Sequence, residues 1–374
     1  MIYKPNYNNS IVNLSNSILK RFNVDTFHPS LKQIDKFISN KKKIVVFLFD
    51  GLGKTILEKH LKENSVFRTH KILDITSTMP PTTVASTNAF LSGKYPLETG
   101  WLGWTQFFSQ IDKSINVFTN YIDDEHRFLE GDNYMKKVAS YPTIADLINK
   151  KKGEEIANLI FGYPVNKENK KVRKLRSFIK YTYETSEKKS ESFTYAYWCA
   201  PDCLMHKYGT KSFFVHKNIK RIEKLIVKYS KKHKSVTTLV IADHGMKDVK
   251  FIDMYQYPDL LDTLVRHSTF EKRCANFYIK ENRKQEFETL FNKYYGEHYE
   301  LFSYESAIKE NLFGIGYPSN IAKQFFGDYI AISKDEYSLD YINKDDKKKI
   351  NFKGHHAGGT LEEMMISVIA IEGN

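Results

Sequence analysis

The sequence predicts an α/β protein: a three-layer α/β/α arrangement with a mostly parallel central sheet and a smaller inserted lobe. Three observations predict it. Ile44-Val45-Val46-Phe47-Leu48-Phe49 is an apolar run without polar alternation, the pattern of a strand buried on both faces, and it ends in Asp50-Gly51. A second such run, Val236–Ala242, ends in Asp243-His244-Gly245. Between and around them lie helical periodicities such as Lys211–Tyr229, with Phe213, Phe214, Ile219, Ile222, Leu225 and Ile226 on the apolar side. In parallel sheets ligands sit beyond the carboxyl ends of the strands, where Asp50 stands.

Taken in order, residues 10–40 carry helical spacing (Ile11, Leu14, Ile18, Leu19, then Leu31, Ile34, Phe37, Ile38) broken at Pro29, and predict an N-terminal helical arm over 1–40. A helix is expected over Thr55–Leu61 and a short strand over Lys71–Ile75. Thr82-Thr83 then open a helix, Thr83–Leu91, whose small residues Ala85, Ser86 and Ala89 allow close approach to the sheet and which stops at Gly93. A hydroxyl at a helix N-terminus near a carboxylate suits a phosphoryl group, because free N–H groups and the helix dipole favour an anion.

From Trp101 to Phe128 the chain reads as aromatic and irregular. Trp101, Trp104, Phe107 and Phe108 fit a pocket wall and a core equally. Next come a helix over Tyr141–Lys150, a strand over Ile156–Phe161, a long basic helix over Asn166–Lys189 and a strand over Phe193–Tyr197. Residues 250–345 change character: short strands at Asn276–Ile279 and Tyr329–Ile332, a helix over Asn282–Tyr294, and loops marked by Gly314, Gly316 and Pro318. They are expected to form an inserted lobe over the pocket, with 41–249 and 346–374 making the catalytic core. A last strand, Ile366–Ile371, follows Gly354-His355-His356-Ala357-Gly358-Gly359.

Composition narrows the class. At 374 residues, with 41% hydrophobic, 27% charged and 14% aromatic residues, the chain can bury a large core and is not disordered. The net charge of +13 raises the question of an anionic partner. Its runs, Lys41–Lys43, Lys150–Lys152 and Lys347–Lys349, each abut an apolar segment and read as solvated element ends. Cys199, Cys203 and Cys274 match no zinc-finger or disulfide framework, which fits a reducing compartment. The N-terminal stretch lacks the apolar core of a signal peptide, and no run approaches the ~20 apolar residues of a membrane helix. The expectation is a cytoplasmic protein with no membrane partner, and with nucleic acid at most a substrate.

Four segments place carboxylates and imidazoles near strand ends or in a glycine loop: Asp50; Asp202 with His206; Asp243 with His244; and His355-His356. Carboxylate plus imidazole without thiolate suits zinc or another first-row dication at a catalytic site. Asp202 and His206, four apart, share one face of a helix, and Cys203 turns away.

These segments, in this order, resemble the alkaline phosphatase superfamily and, within it, the type I phosphodiesterase/nucleotide pyrophosphatase family. The resemblance runs from about Lys43 to Ile371. It is carried by Val46-Phe47-Leu48-Phe49-Asp50-Gly51, Met79-Pro80-Pro81-Thr82-Thr83 with Ser92-Gly93-Lys94-Tyr95-Pro96, Pro201-Asp202-Cys203-Leu204-Met205-His206, Ala242-Asp243-His244-Gly245-Met246 and Gly354-His355-His356-Ala357-Gly358. It implies an alkaline-phosphatase-like fold and two Zn2+ ions. One would be held by Asp202, His206 and the C-terminal histidine, the other by Asp50, Asp243, His244 and the nucleophile oxygen. The family's spacing from Pro80 and back from Gly93 places the nucleophile at Thr83 rather than Thr82, and alignment on Glu362-Glu363-Met364 favours His356 over His355. A covalent phospho-threonine intermediate and a small phosphodiester or nucleotide substrate are implied with it.

The chain also departs from that pattern. Thr99-Gly100-Trp101-Leu102-Gly103-Trp104 has no counterpart of the asparagine that helps many members bind phosphoryl oxygens, and no arginine of the monoesterase kind stands near Thr83. The second absence favours diesters. The alternatives are a phosphomonoesterase or phosphonate-cleaving hydrolase on the same metals, and a basic nucleic-acid-binding protein with a vestigial site.

Overall fold

The computed structural model describes residues 1–122, 125–162, 170–342 and 352–372. The start of the expected 166–189 helix, the Lys347–Lys349 run and the 345/346 boundary lie outside these residues. The main sheet is built from β1 (Lys43–Phe49), β2 (Lys71–Thr76), β3 (Ala157–Phe161), β4 (Ser192–Trp198), β5 (Val236–Ile241) and β6 (Met365–Ile371). Their order across the sheet is β2-β6-β5-β1-β4-β3. β1 pairs parallel with both β4 and β5, and β3 parallel with β4. Only β6 runs against its two neighbours. Ile44 to Phe49 are all buried, as an unbroken apolar run requires. Because β1, β4 and β5 point the same way, whatever follows each of them arrives at one edge.

The helices that flank this sheet or open at that edge include α1 (Ile11–Arg21), α2 (Thr83–Ser92), α3 (Leu175–Ser186), α4 (Asp202–Tyr208) and α5 (Phe213–Lys232). Side chains alternate across a strand, so β4 meets a different helical layer on each face. Phe193 and Tyr195 meet Phe22, which ends α1, and Phe90 of α2. On the opposite face Trp198 and β1's Phe47 meet Phe178 of α3, while Tyr183 of α3 hydrogen-bonds Thr238 of β5 at 2.8 Å. The fold is thus a three-layer α/β/α. α5 turns Val215, Ile219, Ile222, Ile226 and Tyr229 inward, at helical spacing.

Several element readings change. The helix expected over 141–150 runs Ile144–Lys152, because Thr143 and Asp146 form a capping box and Gly153 ends it in the left-handed conformation. The long basic helix is reduced to α3, preceded by a 3-10 turn at Lys170–Val172. The stretch read as irregular, 101–128, contributes Thr105–Phe108, Lys113–Asn116, Tyr121–Ile122 and Arg127–Phe128 to a second, eight-stranded sheet. That sheet continues through Thr269–Glu271, Cys274–Phe277, Tyr329–Ser333 and Tyr299–Ser303, joined to the first group where Phe270 pairs with Thr105. The strands of 250–345 are therefore completed by a segment far upstream. Short strands with charged and polar positions give too little alternation to be read, and only their partner shows what they are. Helix Lys284–Tyr295 covers this sheet with Phe287, Phe291 and Tyr295, one helical turn apart. Among the described residues no helix is long and apolar enough to cross a membrane.

Candidate active site at the carboxyl edge of the main sheet

The chain leaves β1 at Asp50, which is 3% exposed. Its backbone bridges the neighbouring strand end: Asp50 N–H donates to the Trp198 carbonyl, and Asp202 N–H to the Asp50 carbonyl, each at 3.0 Å. Tyr197, on β4, donates its hydroxyl to Asp50 Oδ2. β5 delivers Asp243 and His244, both fully buried. Gly245 is obligatory after them, since a Cβ there would lie 1.8 Å from the Glu362 carbonyl oxygen. β4 is followed by α4, whose first turn holds Asp202 and whose second holds His206. Cys203 on the same helix is exposed, as the spacing predicts. His355 and His356 come from the loop before β6 and are buried.

The histidines are oriented alike. His244 Nδ1 lies 2.8 Å from the Gly245 carbonyl, His206 Nδ1 2.8 Å from the Gly354 carbonyl, and His356 Nδ1 3.2 Å from the Pro81 carbonyl. Each carbonyl accepts the Nδ1 proton, which fixes the tautomer and leaves Nε2 as the lone-pair donor. All three Nε2 atoms face carboxylates: His244 is 3.2 Å from Asp50 Oδ1 and 3.5 Å from Asp243 Oδ2, His206 is 3.4 Å from Asp202 Oδ2, and His356 is 3.8 Å from Asp202 Oδ1. His355 is held differently, its Nδ1 accepting the His356 backbone N–H at 2.9 Å.

Two sets of ligand atoms converge within 4.8 Å: Asp50, Asp243 and His244, and Asp202, His244 and His356. The second set has His244 where His206 was expected. His244 belongs to both sets, its ring stacked on His356 at 3.8 Å, and His206 pairs with Asp202 at 3.4 Å. At this site Asp202 Oδ1 and Asp243 Oδ2 are buried and have no hydrogen-bond partner among the described residues. A buried anionic oxygen left unpaired is costly unless a cation meets it.

Titration follows from this crowding. Burial, opposed by the charge of His244 and helped by that of Asp243, lifts Asp202 to about 7. Burial and Asp202 raise Asp50, and burial and Asp50 raise Asp243. Burial pulls His244 down, but Asp243 and Asp50 outweigh it and lift the imidazole to about 10. Burial lowers His206 to about 4 and holds His356 well below the usual range, so both are neutral and ready to bind a cation. The donor set, its fixed tautomers and its orphaned oxygens fit zinc or a similar dication.

Thr83 is the first residue of α2, after Thr82 in extended conformation at the N-cap. Its Oγ1 lies 3.3 Å from Asp50 Oδ2 and 3.2 Å from His244 Nε2. The hydroxyl of Thr82 turns the other way and donates to Glu271 at 2.7 Å. Of the aromatics, Trp101 is a buried residue of the cleft wall, with Nε1 donating to the Ala139 carbonyl at 2.9 Å, and Phe107 and Phe108 are buried against Tyr278, Tyr134 and Phe325. Trp104 opens onto the cleft, edge-on to Phe118. Tyr197 and Glu271 went unread in the sequence: a tyrosine inside an apolar strand and a lone glutamate in the lobe carry no local signal.

The type I phosphodiesterase/nucleotide pyrophosphatase family model matches residues 44–358. The chain belongs to this family. It is therefore a phosphodiesterase/nucleotide pyrophosphatase-type enzyme of the alkaline phosphatase superfamily. Among solved structures, human ectonucleotide pyrophosphatase/phosphodiesterase 5 is similar at a TM-score of 0.63 and 17% identity, over 88% of this chain and 87% of that one. The murine enzyme, in an inactive variant in complex with AMP, is similar at 0.61 and 16%, over 89% and 88%. At such identity these likenesses speak for the fold. Among curated proteins none matches.

Proposed function

We propose that this family member hydrolyses phosphodiester or pyrophosphate bonds of small nucleotide-like substrates, with Thr83 as nucleophile on a site for two zinc ions. The observation that carries the reading is the position of Thr83 Oγ1, within 3.4 Å of Asp50 and His244 at the first residue of α2, since a helix start favours an anion. Asp50, Asp243 and His244 would hold one ion, with the Thr83 oxygen; Asp202, His206 and His356 the other. When bound, the ions supply Lewis-acid charge that acidifies a hydroxyl and neutralises phosphoryl oxygens.

The chain's own part is positioning. Asp50 accepts a hydrogen bond from the Thr83 hydroxyl and orients the oxygen toward phosphorus. Attack forms the Thr83 Oγ–P bond and breaks the bond from phosphorus to the leaving oxygen, with the hydroxyl proton passing by way of solvent to the leaving oxygen. Water then breaks Oγ–P and restores the hydroxyl. Trp104, open to the cleft, offers an aromatic face to the organic part of a substrate.

Elemental analysis together with hydrolysis of bis-p-nitrophenyl phosphate tests this reading. Close to two zinc ions per chain and chelator-sensitive cleavage are expected. A zinc-replete protein that cleaves phosphomonoesters alone would shift the reading to a monoesterase, and absence of both zinc and cleavage would remove it.

A further inference from the structure

Beside the metal-ligand cluster stands a carboxylate that the mechanism does not use. Glu271, 8% exposed, lines the same cleft as Asp50 and Thr83, although it belongs to the second sheet. Its Oε1 accepts two hydrogen bonds, from the Thr82 hydroxyl at 2.7 Å and from the Trp104 backbone N–H at 2.9 Å. Two donors next to the nucleophile are thereby committed to a protein carboxylate and cannot serve an incoming phosphoryl oxygen. The neighbouring cation does not neutralise it, because Lys272 pairs with Asp340 at 2.7 Å. Among the described residues Glu271 has no Lys or Arg partner, and burial pushes its pKa up to about 7.

The backbone is bent to put Glu271 there. Phe270 has φ of +68°, a left-handed conformation that a bulky aromatic residue adopts only under constraint. The constraint is visible: a Cβ on Gly103 would lie 2.5 Å from Phe270 Cα, so the two chains touch backbone to backbone, and Phe270 pairs with Thr105 on one side and Ala275 on the other. Strain of this kind persists where surrounding structure imposes it and gathers at functional sites. Here it aims the side chain at the N-cap of α2.

We propose that Glu271 determines specificity, disfavouring the dianionic phosphate of monoesters and leaving monoanionic diesters as the preferred substrates. The inference rests on the proposed function and names the substrate charge that this site selects. A phosphodiester carries one negative charge, and a phosphomonoester carries nearly two above neutral pH. A carboxylate bound to Thr82, the residue before the proposed nucleophile, and lining the same cleft therefore opposes a monoester by the repulsion of one further charge.

Zinc-loaded wild type, Glu271→Gln and Glu271→Asp, compared at pH 8.5 with p-nitrophenyl phosphate and bis-p-nitrophenyl phosphate, test this. The glutamine keeps the acceptor for Thr82 and Trp104 while removing the charge. It is expected to raise the monoester-to-diester ratio of kcat/KM about tenfold, and the aspartate to keep the wild-type ratio. If both rates fall together with zinc content intact, Glu271 only holds the loop and the inference is overturned. Calorimetric binding of inorganic phosphate to the same zinc-loaded proteins reads the charge without turnover: tighter binding by Glu271→Gln supports the inference, and equal binding overturns it. Failure of the wild type to cleave the diester counts against the proposed function alone.

Discussion

Thr83 and Thr82 differ in what each hydroxyl meets. Thr83 Oγ1 faces Asp50 and His244, whereas Thr82 Oγ1 is bound to Glu271. In the proposed reaction the nucleophile's hydroxyl needs an acceptor within the cluster of carboxylates and imidazoles, and that is the place of Thr83, whereas Thr82 is committed to Glu271. Thr83→Ala is expected to lower kcat by on the order of 10³-fold or more and to leave bound zinc nearly unchanged, since the carboxylate and imidazole ligands all remain. Thr82→Ala should cost about tenfold or less. Steady-state kinetics with elemental analysis of both variants decides it: activity surviving in Thr83→Ala would transfer the role to Thr82. The distinction between the two could not be read from residue type, because adjacent threonines at a helix start are chemically equivalent until their surroundings are known. Asp202 and His206 were legible for the opposite reason, since a spacing of four on one helix settles which side chains share a face.

At the scale of the element, the site depends on strand ends that agree in direction and on one loop that must be tied down. Asp50 and Asp243 were readable because each closes an apolar run, and strands buried on both faces run parallel and end together. The second sheet was not readable: Thr105–Phe108 and Thr269–Glu271 find each other only in three dimensions, and neither alternates strongly. The loop carrying His356 is tied by Glu363, which is fully buried. Glu363 accepts Arg273 Nε at 2.7 Å and Nη2 at 2.8 Å, the Gly358 N–H at 2.8 Å and the Thr360 hydroxyl at 2.7 Å. Between His356 and Gly358, Ala357 has φ of +87°, so this loop is strained and needs its ties. Removing one partner of a buried, multiply bonded ion pair costs about 3–5 kcal/mol. Glu363→Gln is therefore expected to lower stability toward urea by that order and to weaken zinc binding through His356. A loss below about 1 kcal/mol, with zinc affinity unchanged, would show that the loop holds without the pair.

For the whole molecule, the carboxyl edge of the sheet is a concentration of negative charge inside a chain of net charge +13. In the metal-free protein the only ion-pair partners of Asp202, Asp50 and Asp243 among the described residues are His206, His244 and His356. Below pH 6.5 the depressed His206 and His356 favour stability as pH rises, and above it the raised groups set the sign. Asp202 titrates near 7 folded against 3.8 as its ordinary value, so between about pH 4 and 7 the folded chain binds more protons than the unfolded one and stability falls as pH rises. His244, lifted to about 10 from 6.5, contributes stability that is complete below 6.5 and is lost as pH rises through 10. Both effects weaken the metal-free chain toward alkaline pH, by on the order of 1.4 kcal/mol for each tenfold difference in proton affinity between the folded and unfolded chain. Zinc reverses the trend, because its ligands bind deprotonated and its affinity therefore grows with pH. The melting temperature of chelated protein should drop from pH 6 to pH 9, and the gap between zinc-loaded and chelated protein should widen over the same range. Differential scanning calorimetry at four pH values with and without chelator measures both. A gap that stays constant would mean that these carboxylates and His244 are not where the metal binds, and the site would have to be sought elsewhere on the sheet edge.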